Sequence, residues 1–401
     1  MKRILFNKVI IMIGLIVVTA IFGQQLLAVT NNDDQSIEVY PEPLNYDRAE
    51  VKYLNSLWEN RRGRYEFRSY DLSNIELTND IIEKDYIFNT ETKWPENLPE
   101  YFDLNKIIKY GKNPGLNVKN LHKEGITGKG VNVGIVDGRL LVDHKEIKNN
   151  IKVYEETFEM EGSAFYHSTP ITSILAGDSN GVAPDVGIYY MAYLDNNIDY
   201  ESGYIELGKA IERLVEINRT LPEDDKMSVI SISSGWNPNS ENASGIYEAI
   251  EKAKEENIFV ISARLFETHD LKFNGLRRDA LDDPDKISSF AYTKLSSYSF
   301  DEDDKDILLL PIDGRWMASS TGVEEYLYYS KGAWSMAIPY VSGLYALANQ
   351  VNPEITPEEF WSTAISTGNK VEDKGRFALD YKGRNAKIIN PVKLIEAISS
   401  K

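Results

Sequence analysis

The stretch Gly128-Lys-Gly-Val-Asn-Val-Gly-Ile-Val-Asp-Gly138 decides how the 401-residue chain is read. Residues 131–136 are apolar, rich in β-branched side chains and bounded by glycine, which predicts a short buried strand. The strand ends in Asp137. In an open parallel sheet a carboxylate at that end lies on the edge where ligands bind. Read alone, the same aspartate is as well explained as the cap of a turn.

Outward from this strand the pattern alternates. Residues 168–176, 205–217 and 245–255 have helical periodicity, and 187–193, 228–233 and 258–263 read as strands. Short strands alternating with helices predict parallel strands joined by crossovers. The fold class is therefore α/β, a doubly wound and mostly parallel sheet with an N-terminal extension. Residues 335–351, 357–367 and 391–398 are further helices, the last with Asn390 as N-cap and Pro391 in its first turn.

Composition limits the chemistry. The chain has no cysteine and four histidines, so disulfides, cysteine-held zinc and a thiol nucleophile are excluded. Imidazole chemistry must use His122, His144, His167 or His269. The net charge is −18, and since residues 1–30 carry three cations and no acid, the remainder carries −21. That balance opposes nucleic acid as a partner, because phosphate binding needs a basic surface.

The N-terminus has Lys2, Arg3 and Lys8 before an apolar run at 9–22. This is the pattern of a secretory signal, cleaved near Ala28, or of an uncleaved anchor through residues 9–29. Either way the protein is expected outside the cytoplasmic membrane, secreted or tethered, with membrane contact only through this segment. Residues 31–115 form an acidic linker and an extension in which Trp58, Tyr65, Phe67 and Tyr70 suggest packed structure. The main domain is placed at 116–401.

Two further segments carry reactive groups. Tyr166-His167-Ser168-Thr169-Pro170 opens a helix of small and apolar residues. A helix N-terminus disfavours imidazolium, which would help keep a base neutral. Gly332-Ala-Trp-Ser335-Met-Ala-Ile-Pro339 opens the long apolar helix. A serine there is ordinarily a cap. As a nucleophile it would have backbone N–H groups aimed at a developing oxyanion.

The chain order Asp137, His167, Ser335 is that of the subtilisin triad. With these blocks in view the sequence resembles the subtilisin-like serine peptidases. The strand ending in Asp137, with His144 seven residues on, resembles the family's aspartate block. His167-Ser-Thr with Ile-Leu-Ala-Gly177 and Gly181-Val-Ala-Pro184 resembles its His-Gly-Thr block, and Ser335-Met-Ala-Ile-Pro339 its Ser-Met-Ala-Thr-Pro block. The resemblance spans residues 116–368 and leaves 31–115 as a propeptide-like or family-specific extension. It implies an endopeptidase acting on peptide or protein substrates, with Asp137, His167 and Ser335 catalytic. Ser233, Ser234 and Gly235 would wall the substrate pocket, and the Ser335 backbone N–H would form half of the oxyanion hole. No cofactor is needed for such chemistry. Structural calcium is an option, with Asp282-Asp-Pro-Asp285 and Asp301-Glu-Asp-Asp304 as candidate ligands.

The sequence departs from the family in several places. Gly138 follows Asp137 where serine or threonine is usual. Ser168 replaces a glycine after the histidine. Trp334 replaces threonine before the serine. After the strand at 258–263 the expected oxyanion asparagine is absent, leaving Arg264, Thr268 or Asn274 as candidate second donors. The alternative reading is a subtilase-fold binding or regulatory protein of low or no activity.

Overall fold

The computed structural model describes residues 52–53, 64–78, 81, 83–195, 198–292, 306–371 and 385–400. The leader, the acidic linker and the cluster 301–304 lie outside the described residues.

After a short strand, Lys52–Tyr53, that pairs in parallel with Tyr70–Asp71, the larger elements are β1 (Arg64–Glu66), β2 (Asp85–Asn89), α1 (Leu104–Gly111) and α2 (Val118–Lys123). The main sheet and its crossovers follow: β3 (Asn132–Gly138), β4 (Ile151–Glu156), α3 (Ser168–Ala176), β5 (Gly187–Leu194), α4 (Tyr200–Thr220), β6 (Met227–Ile232), α5 (Ser244–Glu255) and β7 (Phe259–Ser262). The strand order is β4-β5-β3-β6-β7, with every pair parallel. The expected doubly wound sheet is thus observed. Buried β3 is at its centre, and the chain leaves it first toward β4 and then crosses back to β6. The carboxyl end of β3 lies at this switch in direction, where open α/β sheets bind ligands.

The predicted elements match these to within a few residues. Helix α4 starts earlier than its apolar stripe, because Asp199 caps it by accepting the Glu201 and Ser202 N–H groups. All nine residues of α3 are buried, so its serine and threonine hydroxyls need internal partners. One example is Ser173 Oγ, which donates to Pro170 O at 2.8 Å.

The chain continues as α6 (Leu265–His269), β8 (Lys272–Arg278), β9 (Phe290–Tyr292), β10 (Ile307–Pro311), β11 (Arg315–Ala318), β12 (Tyr326–Tyr329), α7 (Trp334–Val351), α8 (Pro357–Thr367), β13 (Ala386–Ile388) and α9 (Pro391–Ser399). A second sheet has the order β9-β8-β10-β13, with the short strand Asn369–Lys370 at its edge. Helix α7 packs on α3, β6, β7, β8 and β10, so it joins both sheets to the histidine helix.

A third sheet has the order β11-β12-β2-β1. It crosses the expected boundary at residue 115. Tyr86 N donates to Ser330 Oγ at 2.8 Å, and Ser330 N to Tyr86 O at 3.0 Å. Phe67, Tyr86, Phe88 and Phe102 share one core with Trp316, Tyr326 and Tyr328. The described part of the 31–115 extension is therefore woven into the residues that precede Ser335.

Candidate active site

Of the four histidines, His167 alone forms an ion pair with a carboxylate among the described residues. His122 Nε2 faces Val182 O at 2.8 Å, and His144 Nε2 faces Glu325 O at 2.9 Å. His269 pairs through Nδ1 with Thr268 Oγ1 and packs edge-on against Phe259. Those three rings are spent on structure. His167 Nδ1 lies 2.9 Å from Asp137 Oδ2 and 3.1 Å from Oδ1.

The pair is positioned by backbone on both sides. Asp137 is 4% exposed at the end of β3, and its Oδ1 accepts the Gly138 N–H at 2.8 Å. His167 is the N-cap residue of α3, held there by its carbonyl, which accepts the Ile171 N–H. About a quarter of its side chain, 24%, is exposed. Burial lowers the imidazole pKa, but the Asp137 charge and hydrogen bond outweigh it and raise the value above the usual 6.5. This corrects the expectation that the helix N-terminus would keep the ring neutral: a carboxylate at contact distance exceeds the partial charge of the helix end. With the folded pKa raised, protonated His167 stabilises the fold below the unfolded value, and that contribution is lost as pH rises through the folded one.

Ser335 lies in the first turn of α7. Its hydroxyl is not hydrogen-bonded to His167 in this structure, so the serine is near the start of the helix that packs on α3 without closing the triad. Ala333, the N-cap, supplies no side-chain acceptor. The Trp334 ring is turned onto Phe273 of β8, with centroids 4.7 Å apart, and so packs into the domain.

The proposed pocket wall follows β6. Ser234 Oγ is 2.9 Å from Tyr193 Oη, and Ser234 O accepts the Ala263 N–H at 3.1 Å. The Ser233 hydroxyl is buried without a hydrogen-bond partner. Residues 233–235 thus run beside the turn after β7. A Cβ placed on Gly235 would meet Ala263 Cβ at 3.4 Å and Arg264 Nε at 3.5 Å. Arg264 therefore lines this wall, with its guanidinium on Glu267 at 2.8 Å. Thr268 Oγ1 is spent on Arg264 O at 3.2 Å and on His269. Asn274 is buried on β8, where its Oδ1 accepts the Gly275 N–H at 2.7 Å.

Sequence reasoning missed the network flanking His167. Arg139 and Glu156 form a pair at 2.9 Å, 3% and 5% exposed. Glu156 Oε1 also accepts from Tyr154 Oη at 2.8 Å, and Arg139 Nη1 donates to Gly162 O at 2.5 Å. Arg139 O accepts the Phe165 N–H at 2.8 Å. Arg139 thus holds the loop that delivers His167. The available signal was an arginine two residues after Asp137, in a segment otherwise apolar. Breaking a buried pair from one side leaves an uncompensated charge. Arg139→Met is expected to cost about 3–5 kcal/mol in urea unfolding, and Arg139→Met with Glu156→Leu should recover most of it. A double variant no more stable than the single one would contradict this.

The acids at 283 and 285 make hydrogen bonds within the protein. Asp285 accepts from Asn113 Nδ2 and Asn117 N, each at 2.8 Å, and Asp283 Oδ1 accepts the Asp285 N–H at 3.0 Å. Arg278 Nη1 donates to the carbonyls of Asp279, Ala280 and Asp282 at 3.1, 3.4 and 2.7 Å. Three backbone carbonyls of this loop thus face the Arg278 guanidinium. Among the described residues no group of three or more histidine and acid side chains could hold a metal. No helix there is long and apolar enough to cross a membrane.

A parallel doubly wound sheet, with an Asp–His pair at its central strand end and a serine-initiated helix packed beside it, is the arrangement of a subtilisin-like fold. In comparison with known proteins, residues 128–264 match the subtilase family model. That segment contains Asp137, His167 and the 233–235 wall, and stops before Ser335. Among solved structures, the chain is similar to the prenylagaramide maturation protease PagA (TM-score 0.51, 18% identity, covering 71% of this chain and 99% of that one). It is also similar to a protease from Pseudoalteromonas arctica (TM-score 0.50, 17% identity, 74% and 98%). The PatG macrocyclase in complex with peptide matches at TM-score 0.51 and 12% identity, over 70% and 95%. At these identities the likeness is one of fold.

Proposed function

We propose that the protein is an exported serine endopeptidase that hydrolyses peptide bonds through Asp137, His167 and Ser335. The observation that carries this reading is the His167 Nδ1 contact with buried Asp137 at 2.9 Å, at the functional edge of a parallel sheet. With Nδ1 on the carboxylate, Nε2 is the nitrogen left to act as base. Ser335 Oγ attacks the peptide carbonyl carbon as its proton passes to Nε2. The tetrahedral adduct collapses to an acyl-enzyme, and the same proton leaves on the amine. Water then repeats the sequence and restores Ser335. The first turn of α7, without a side-chain cap, supports an oxyanion site at the Ser335 N–H. An extended peptide would lie along Ser233, Ser234 and Gly235 as an added strand.

Export is proposed from residues 1–30, with the product secreted or tethered. The proposed chemistry needs no cofactor.

A second reading, a subtilase-fold binding protein of little activity, is favoured by the lack of a Ser335–His167 hydrogen bond and of an asparagine after β7. A fluorophosphonate probe separates the two. The endopeptidase labels at Ser335, and labelling disappears in Ser335→Ala and His167→Ala. A wild-type protein that neither labels nor cleaves peptides, with mass spectrometry showing its chain state, sinks the enzyme reading.

A further inference from the structure

Two departures from the family pattern meet at one carboxylate. Asp137 Oδ1 accepts three contacts: the Gly138 N–H at 2.8 Å, His167 Nδ1 at 3.1 Å and the Ser168 hydroxyl at 3.2 Å. Ser168 is fully buried at the first position of α3. Position 138 cannot supply this hydroxyl. A Cβ on Gly138 would fall 2.6 Å from Phe165 Cγ and Cδ1, inside the ring's own space. It would also fall 2.7 Å from Phe165 Cβ, a contact that turning the ring does not relieve, and the Phe165 backbone is held through its N–H on Arg139 O.

We propose that Ser168 is a positioning residue for the Asp137–His167 pair, supplying from the histidine's side the hydroxyl that Phe165 excludes from the aspartate's side. A buried carboxylate needs its lone pairs filled. The Gly138 N–H and the Ser168 O–H fix Oδ1 from two directions, which sets the plane in which the carboxylate receives Nδ1–H. The hydroxyl has an electrostatic effect as well. Its positive end points at the carboxylate and reduces the pull of Asp137 on an imidazolium, which keeps the base less readily protonated than the carboxylate alone would make it.

The groups around the pair allow this effect to be read. Asp137 is the charged group that acts on His167. The phenols of Tyr190 and Tyr193, on β5, and of Tyr154, on β4, stay protonated because burial raises their pKa values. Arg139 and Glu156 neutralise each other beside them. Tyr166 contributes only its ring edge, 6.2 Å from the imidazole centroid.

The inference rests on the proposed pair but can be tested apart from peptidase activity. The chain has four histidines, so NMR titration of the ring carbons resolves each. Ser168→Ala and Ser168→Gly are expected to raise the His167 pKa by about half a unit, since the hydroxyl no longer shares the carboxylate. Ser168→Thr, which keeps the hydroxyl, should titrate as the wild type. His122, His144 and His269 should not move, and so report that the fold is intact. On a peptide substrate, Ser168→Ala should lower kcat about tenfold with KM unchanged. Its acid limb should move up with the NMR value.

An unchanged His167 titration in both Ser168→Ala and Ser168→Gly overturns the inference, as does a rise in KM at constant kcat. If the wild type proves inactive while the titration still shifts, the endopeptidase reading falls and the positioning role stands. If the wild type is active and the titration is unchanged, only the positioning role falls.

Discussion

Asp137→Asn is expected to lower kcat about 10⁴-fold and to leave KM within a few-fold of wild type. The substitution keeps size and shape, so the contacts from the Gly138 N–H and the Ser168 hydroxyl to the retained oxygen can persist. What changes is the atom facing His167. An amide N–H there donates to Nδ1 and forces the ring proton onto Nε2, where a lone pair is needed to accept the Ser335 proton. The second consequence is in pH dependence. Asp137 raises the His167 pKa, and the neutral amide removes that charge while burial remains. The residual activity should therefore hold to lower pH than in wild type, because the acid limb follows imidazole protonation. Steady-state rates on a peptide ester between pH 5 and 9 would show both effects. A variant within tenfold of wild type, with an unmoved acid limb, would mean that Asp137 does not orient the base.

The candidate site is legible in the sequence where its signals are local, and the structure brings Asp137 and His167 together. Asp137 ends a strand whose β-branched run is visible in six residues, and His167 and Ser335 each open a helix marked by small and apolar residues. These features require no knowledge of distant contacts. The parts that were not legible depend on residues far apart. Strand β2 pairs with β12 across a separation of more than two hundred residues, and neither Asp85–Asn89 nor Tyr326–Tyr329 shows a clean two-residue alternation, since both faces are covered. Arg264 could be counted as a polar residue after β7, but its position along Gly235 follows from two loops meeting. That Arg278 faces the backbone carbonyl of Asp282, beside the acids at 283 and 285, likewise follows only from the fold. Gly138 and Ser168 were visible as separate departures. That they compensate one another depends on the Phe165 ring, whose position only the fold reveals.

A chain that starts at residue 104 or later is expected not to fold cooperatively. The extension would be dispensable if residues 31–115 were merely a removable segment, but its described part closes a sheet. Removing it takes away β1 and β2 and bares the edge of β12, whose unpaired N–H and C=O groups would then invite association. It also removes Phe67, Tyr86, Phe88 and Phe102, each at most 2% exposed, from the core they share with Trp316, Tyr326 and Tyr328. Truncating one such aromatic costs about 3–5 kcal/mol. Loss of four in contact is on the order of the roughly 5–15 kcal/mol that holds a typical domain together. The damage reaches the site, because β12 leads within a few residues into the turn before Ser335, where Gly332 N donates to Asp313 Oδ1 at 2.7 Å. The measurement is thermal unfolding of chains beginning at residues 31, 44 and 104. The first two should give one sharp transition, and the third none, with aggregation. A folded chain beginning at residue 104 that labels with fluorophosphonate would show instead that these strands serve as a detachable folding aid, and that the β11–β12 face finds another cover once they are gone.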